Sequence, residues 1–224
     1  MGSIANQTAQ DLSKLPSVAR GEAAVVDVPQ IVANTETLRG YGRPVQHADP
    51  ADVDIVTWPS SGRRPVLAGT GRGGGVVTGA FDMVRRGSVA YARNHAVERE
   101  YITGWFGDPA TARDDVEPAD TSAILTHEAN YHPDGGQIFV PRTAEPFVAL
   151  LALAGDEVEP TDFRAFWCDG SFGIHIDAGV WHQPLFPAGA QLSFDDAQGA
   201  VHACVGVDFL TEFGVYLRLG LTRS

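Results

Sequence analysis

The chain has only two cysteines, Cys168 and Cys204, in 224 residues. They form no CxxC pair, so neither a disulfide framework nor a thiolate zinc site organises the fold, and both read as core residues. No run approaches the roughly 18 apolar residues that a membrane span requires. The opening segment has no basic head followed by an apolar stretch, so residues 1–20 read as a polar leader and not as a secretory signal. Residues 21–224 are then expected to form one domain, working in the cytoplasm. Basic residues are also few: 16 Lys and Arg stand against 28 Asp and Glu, a formal charge of −12. They cluster no further than pairs such as Arg63-Arg64 and Arg85-Arg86, which argues against nucleic-acid binding. An anionic substrate would need a local cationic pocket.

What the chain does have is short segments of period-two alternation. With 44% apolar residues it can bury a sizeable core. Strand signals rich in β-branched and aromatic residues occur at 23–28, 53–58, 76–84, 88–93, 122–126, 137–140, 147–153, 172–176, 200–209 and 215–219. Gly, Pro and Asp punctuate them, the pattern of an all-β sandwich or barrel. Two helical pieces are expected, at 35–41 and at 161–166, the latter begun by a Thr161 cap after Pro160. The glycine-rich stretch 69–75 lacks the Gly-Lys-Ser/Thr ending of a phosphate loop and reads as a surface loop, as does 107–120.

Two segments carry chemistry. In the first, His127-Glu-Ala-Asn-Tyr-His132-Pro-Asp-Gly-Gly-Gln137, strand spacing places Glu128, Asn130 and His132 on one face. A Pro-Asp-Gly-Gly turn would then return Gln137 toward His132. In the second, Gly173-Ile-His175-Ile-Asp177-Ala-Gly179-Val-Trp-His182, the isoleucines are expected to pack outward while His175 and Asp177 look inward, and a Gly turn delivers His182.

The spacings His132 to Gln137 and Gly179 to His182 resemble the shortened metal-binding signatures of cupins. The blocks HPDGGQIFVP, PFVALLALAGDEVEPTDFRAF and GVWHQPLF are similar to the ureidoglycolate lyase family, and ETLRGYG resembles that family's opening motif. The resemblance spans about residues 35–47 and 125–210. It implies an all-β, cupin-type β-barrel with a few short helices. It also implies a homodimer that splits ureidoglycolate into glyoxylate and urea, with a divalent metal ion in some members. The sequence departs from the family pattern at Asn130, where a carboxylate is expected, at His175 and Asp177, and over the long segment 48–120.

Glu128, His132 and His182 are accordingly the candidate catalytic groups. His132 and His182, with Glu128 or Gln137, are the candidate ligands of zinc, nickel, manganese or iron. Glu128 could equally be a general base or the group that sets the tautomer of His132. Asn130, Tyr131, Arg142, His175, Asp177 and Trp181 are expected to contact a small-molecule substrate, with Tyr131 and Trp181 as pocket wall or core and Arg142 as a carboxylate fork. Arg164 is expected in a solvent salt bridge. His47, His95 and His202 read as structural histidines. Rival readings are a cupin isomerase, cyclase or oxygenase acting on another substrate, and a cupin that binds a small acid without turning it over.

Overall fold

Alternating side chains dictate sheet, and the computed structural model is almost wholly strand. It describes residues 15–53, 55, 64–68, 70–71, 75–200 and 203–224. In chain order the strands are β1 (Ala24–Asp27), β2 (Gln30–Val32), β3 (Gly42–Val45), β4 (Val76–Arg86), β5 (Val89–Asn94) and β6 (Arg99–Trp105). There follow β7 (Ala123–Thr126), β8 (Glu128–Tyr131), β9 (Gln137–Pro141), β10 (Phe147–Ala152), β11 (Arg164–Cys168) and β12 (Gly173–Ile176). The last are β13 (Trp181–His182), β14 (Phe186–Pro187), β15 (Gln191–Gly199), β16 (Val205–Asp208) and β17 (Val215–Gly220), with one short helix, α1 (Phe209–Phe213), between β16 and β17.

The strands form two sheets. The larger runs β1-β17-β7-β6-β5-β4-β15-β9-β12-β3 and the smaller β16-β8-β13-β10-β11-β2, with β14 on β10. Phe147, Ala149 and Leu151 of β10 pack on Phe139, Ile174 and Phe194 of the large sheet. The alternate residues Val148, Leu150 and Ala152 pack with Ile124, Leu217 and Leu219 from that sheet's other end. The register places all these large-sheet side chains on one face, so the sheet curls around β10 and buries it from both sides. This is an all-β, cupin-like architecture, and among the described residues no helix is long and apolar enough to cross a membrane.

Several expectations change in the structure. The piece at 35–41 is a series of turns, and the piece at 161–166 is one 3-10 turn, Pro160–Asp162, followed directly by β11. Its cap is Glu159, not Thr161, since Glu159 and Asp162 close a reciprocal box around Pro160. The segment expected as one strand at 200–209 ends in α1, because the Asp208 carboxylate accepts from the backbone of Leu210 and Thr211 and starts a helical turn. Strands β6 and β15 were not expected at all. Most of the strand expected at 53–58, with parts of the 1–20 leader, the 69–75 loop and the 200–209 segment, lies outside the described residues, as does His202.

Trp181 shows how the small sheet is held. It is fully buried, its indole N–H donates to the Gly155 carbonyl at 2.9 Å, and Tyr131 meets its ring edge-on at 4.6 Å. The Arg64 guanidinium lies 5.6 Å over the same ring. Trp181→Ala is expected to destabilise the protein by about 3–5 kcal/mol, read as a lowered denaturation midpoint in urea with little change in slope.

Candidate functional site

The two histidine segments come together through β8 and β13. His182 lies directly across from Asn130, and Leu151 flanks His182 on the other side. At the strand ends Gly179 donates its N–H to the His132 carbonyl at 2.9 Å. Gly179 makes that turn with φ +82, a conformation that favours glycine. The imidazoles of His132 and His182 consequently meet edge to face, with ring centroids 5.1 Å apart.

Each ring is oriented by the backbone. Nδ1 of His132 lies 3.1 Å from the Ala203 carbonyl, and Nδ1 of His182 lies 2.8 Å from that of Val180. A carbonyl only accepts, so both Nδ1 atoms carry the proton, and in the neutral ring Nε2 carries the lone pair. This assignment rests on the hydrogen-bond partners.

Glu128 and Asn130 share the strand face of His182, as the alternation predicts, while Ala129 and Tyr131 point into the core behind them. Burial raises the Glu128 carboxyl above the usual carboxylate range; His127 pulls it down and Asp208 pushes it up. Asn130 Oδ1 is buried with no hydrogen-bond partner. His127, which sequence reasoning passed over, stacks on Trp105 at 5.3 Å and bonds Asp208 through Nδ1 at 3.1 Å. Its Nε2 lies 3.9 Å from Glu128. Burial would raise Asp208, yet hydrogen bonds from His127 and Thr211 hold it well below the usual range.

Opposite this face, the large sheet contributes polar side chains that the sequence reading missed. Phe194, Asp196 and Gln198 lie on one face of β15, so the strand passes from apolar core to polar layer along its length. Gln137 donates both amide hydrogens there, to Asp196 Oδ1 and to Gln198 Oε1, each at 2.7 Å. Gln198 Oε1 also accepts from Asn94 at 3.0 Å. Burial pushes Asp196 up to about 7, and its Oδ2 is buried without a partner. The layers meet electrostatically. Burial, then Asp196 and Cys204, raise the Tyr101 phenol. Burial pushes the Cys204 thiol up to about 12, with Arg99 lowering it and Asp134 and Glu128 raising it. The missed signal was the stretch Leu192-Ser-Phe194-Asp-Asp196-Ala-Gln198, whose alternate residues run from apolar to polar.

Other expected contacts fall elsewhere. The Pro133–Gly136 turn closes no hairpin: β8 belongs to the small sheet and β9 to the large one, so the turn carries the chain between sheets. Gln137 therefore turns to Asp196 and Gln198 instead of back toward His132. Ile174 and Ile176 point into the core, each with no exposed surface, and His175 takes the opposite face, reversing the expected order. Burying two isoleucines outweighs placing one imidazole inside. His175 and Asp177 do pair, at 3.1 Å, but beneath the turn, where His175 Nε2 crowds the position a Gly136 side chain would take. Burial and then Arg43 lower the His175 pKa. Arg142 pairs with Asp195 on the exposed end of β9, Tyr131 and Trp181 lie on the core side of their strands, and Arg164 binds the Thr161 and Phe163 carbonyls and forms no salt bridge with another described residue. Of the other histidines, His95 bonds Asp82 at 2.7 Å and His47 is exposed. Among the described residues no three His, Cys, Asp or Glu side chains gather as a metal site. A cavity of about 430 Å³ lies apart from these groups, lined by Val18, Val25, Phe106, Asp108, Leu125 and Arg218 among others.

The buried Asp196 makes stability depend on pH. Its folded pKa lies near 7 against an ordinary value of 3.8, so the folded state holds the proton more tightly and folding stability falls as pH rises between those values. Asp196→Asn removes this term. Its melting temperature is expected to gain on the parent's between about pH 4 and about pH 8, by an amount on the order of a few kcal/mol in stability.

Comparison with known proteins bears on the same segment. The family model described as ureidoglycolate lyase matches residues 117–208. A ureidoglycolate lyase of Salmonella enteritidis is 44% identical over 63 residues, covering 28% of this chain and 39% of that protein. One from Salmonella paratyphi A is 43% identical over 63 residues with the same coverage. The matched stretch thus spans about two-fifths of the length of these curated relatives. The block at 35–47 lies outside the family match. Residues 117–208, the segment that carries both histidine motifs, are thus similar to the ureidoglycolate lyase family.

Proposed function

We propose that the protein is a lyase that splits ureidoglycolate into glyoxylate and urea. The observation that carries this reading is the His132–His182 pair, 5.1 Å apart, beside Glu128 and inside the family-matched segment. In this substrate one carbon bears a carboxylate, a hydroxyl and the ureido nitrogen. A base removes the hydroxyl proton, the C–O pair becomes a carbonyl, the C–N bond breaks toward nitrogen, and an acid returns a proton to that nitrogen. His182, with its Nδ1 committed to Val180, presents Nε2 as the base, and His132 is oriented the same way. Glu128, whose carboxyl burial raises above the usual range, is assigned as the acid. The carboxylate needs a cation. Arg99, opposite Asn94 in the sheet, makes no ion pair with another described residue and lies close enough to lower Cys204 and Tyr101.

A divalent ion on His132 and His182 is the other form of the proposal. Imidazoles suit zinc, nickel, manganese or iron, and the ion would polarise the hydroxyl. Glu128 or Gln137 is the candidate to complete the ligand set among the described residues, where no three-ligand group stands assembled. Elemental analysis and turnover with and without chelator decide between the two forms. A homodimer in the cytoplasm also belongs to this reading, and light scattering on the purified protein tests the dimer.

Incubation with ureidoglycolate is expected to release glyoxylate and urea in equal amounts; no release sinks the proposal. His182→Ala should lower turnover by about a hundredfold or more while leaving the melting temperature within a few degrees of the parent's. Arg99→Ala should raise KM by about tenfold to a hundredfold with a smaller effect on kcat, since a carboxylate anchor is used alike in ground and transition states.

A further inference from the structure

Asp196 is the least explained group in the molecule. It has no exposed surface, no cation beside it, and one carboxyl oxygen with no hydrogen-bond partner. An unpaired buried carboxyl oxygen is destabilising and calls for a partner that the protein alone does not supply. Its neighbour Gln198 is in a complementary state. Gln198 Oε1 already accepts two hydrogen bonds, from Gln137 and Asn94, and this fixes the amide so that its Nε2 hydrogens are what it offers. Gln137 binds both side chains through one nitrogen and holds them against each other. The result is an acceptor next to a donor on one strand face, at the floor of the polar layer.

We propose that Asp196 and Gln198 form a subsite for a carbamoyl group, Oδ2 of the ionised Asp196 accepting from its –NH₂ and Gln198 Nε2 donating to its carbonyl oxygen. An amide edge offers that donor–acceptor pair, whereas a carboxylate offers only acceptors and an ammonium only donors. The inference deepens the proposed function, since it places the urea end of the substrate on β15 and leaves the other end to Arg99 and the histidines. Gln137 is a positioning residue here: it touches Asp196 and Gln198 and sets their orientation. Asn130 Oδ1, also a buried oxygen without a partner among the described residues, lies across from His182 in the small sheet and is assigned to the nitrogen that links the two ends.

The test uses two stable probes of the same size, N-carbamoylglycine and N-acetylglycine, which differ by –NH₂ against –CH₃. Calorimetric titration of the parent at about pH 8.5, where Asp196 is ionised, is expected to show N-carbamoylglycine bound about tenfold to a hundredfold more tightly, the range for one hydrogen bond to a buried group. Asp196→Asn should abolish that preference while binding N-acetylglycine as the parent does. Gln198→Met should weaken both probes and keep the preference, which also tests the subsite should Asp196→Asn fail to fold. Equal binding of the two probes by the parent, no binding of either, or a preference surviving in Asp196→Asn would overturn the subsite. Glyoxylate release without any probe preference removes the subsite and leaves the lyase standing. A preference without glyoxylate release does the reverse.

Discussion

The pairing of β8 with β13, closed by the Gly179 N–H on the His132 carbonyl, is the contact on which the candidate site depends. It joins segments some fifty residues apart in sequence, and it puts His182 across from Asn130 on the face that Glu128 shares. A slip of one residue would send His182 into the core and Trp181 into the polar layer. Trp181 resists that slip. Its ring is buried against Tyr131 and its N–H is used by Gly155, so the opposite register would leave a large aromatic and a donor unsatisfied.

The second constraint is the enclosure of β10. Because the large sheet curls around it, polar side chains from both sheets are pressed together in surroundings poor in water, and desolvation becomes the dominant influence on their protons. It raises Glu128, Asp196 and Cys204 together. Asp208 escapes, since His127 and Thr211 bind its charged form. One environment thus holds two carboxyls whose pKa is raised beside one whose pKa is lowered. A reaction that moves a proton off an oxygen and onto a nitrogen needs that separation. The amide side chains Asn94, Gln137 and Gln198 add no charge to a chain already at −12, yet Gln137 donates to Asp196 and, with Asn94, fixes the orientation of Gln198.

Much of this was legible in the sequence. Period-two alternation gives the all-β class and the shared face of Glu128 and Asn130, and the His132 and His182 spacings single out the segment that the family model matches. These readings work because they depend on neighbours along the chain. Where a local cue competed with burial, it failed. The alternation around His175 is symmetric, and only the core decided that Ile174 and Ile176 go inward. The Pro-Asp-Gly-Gly turn looks like a hairpin, but which sheet receives the following strand is settled by partners far away, β12 and β15.

By itself, then, the sequence determined the strand content, the polar face of β8 and the two histidines, because strand periodicity and glycine turns act over a few residues. Tertiary structure alone decided that the histidines meet, that Arg142 and His175 stand apart from them, and that Asp196 is buried beside Gln137 and Gln198. Those outcomes come from sheet curvature and from registers between distant strands. Burial in that enclosure turns an ordinary aspartate into a carboxyl that ionises near 7.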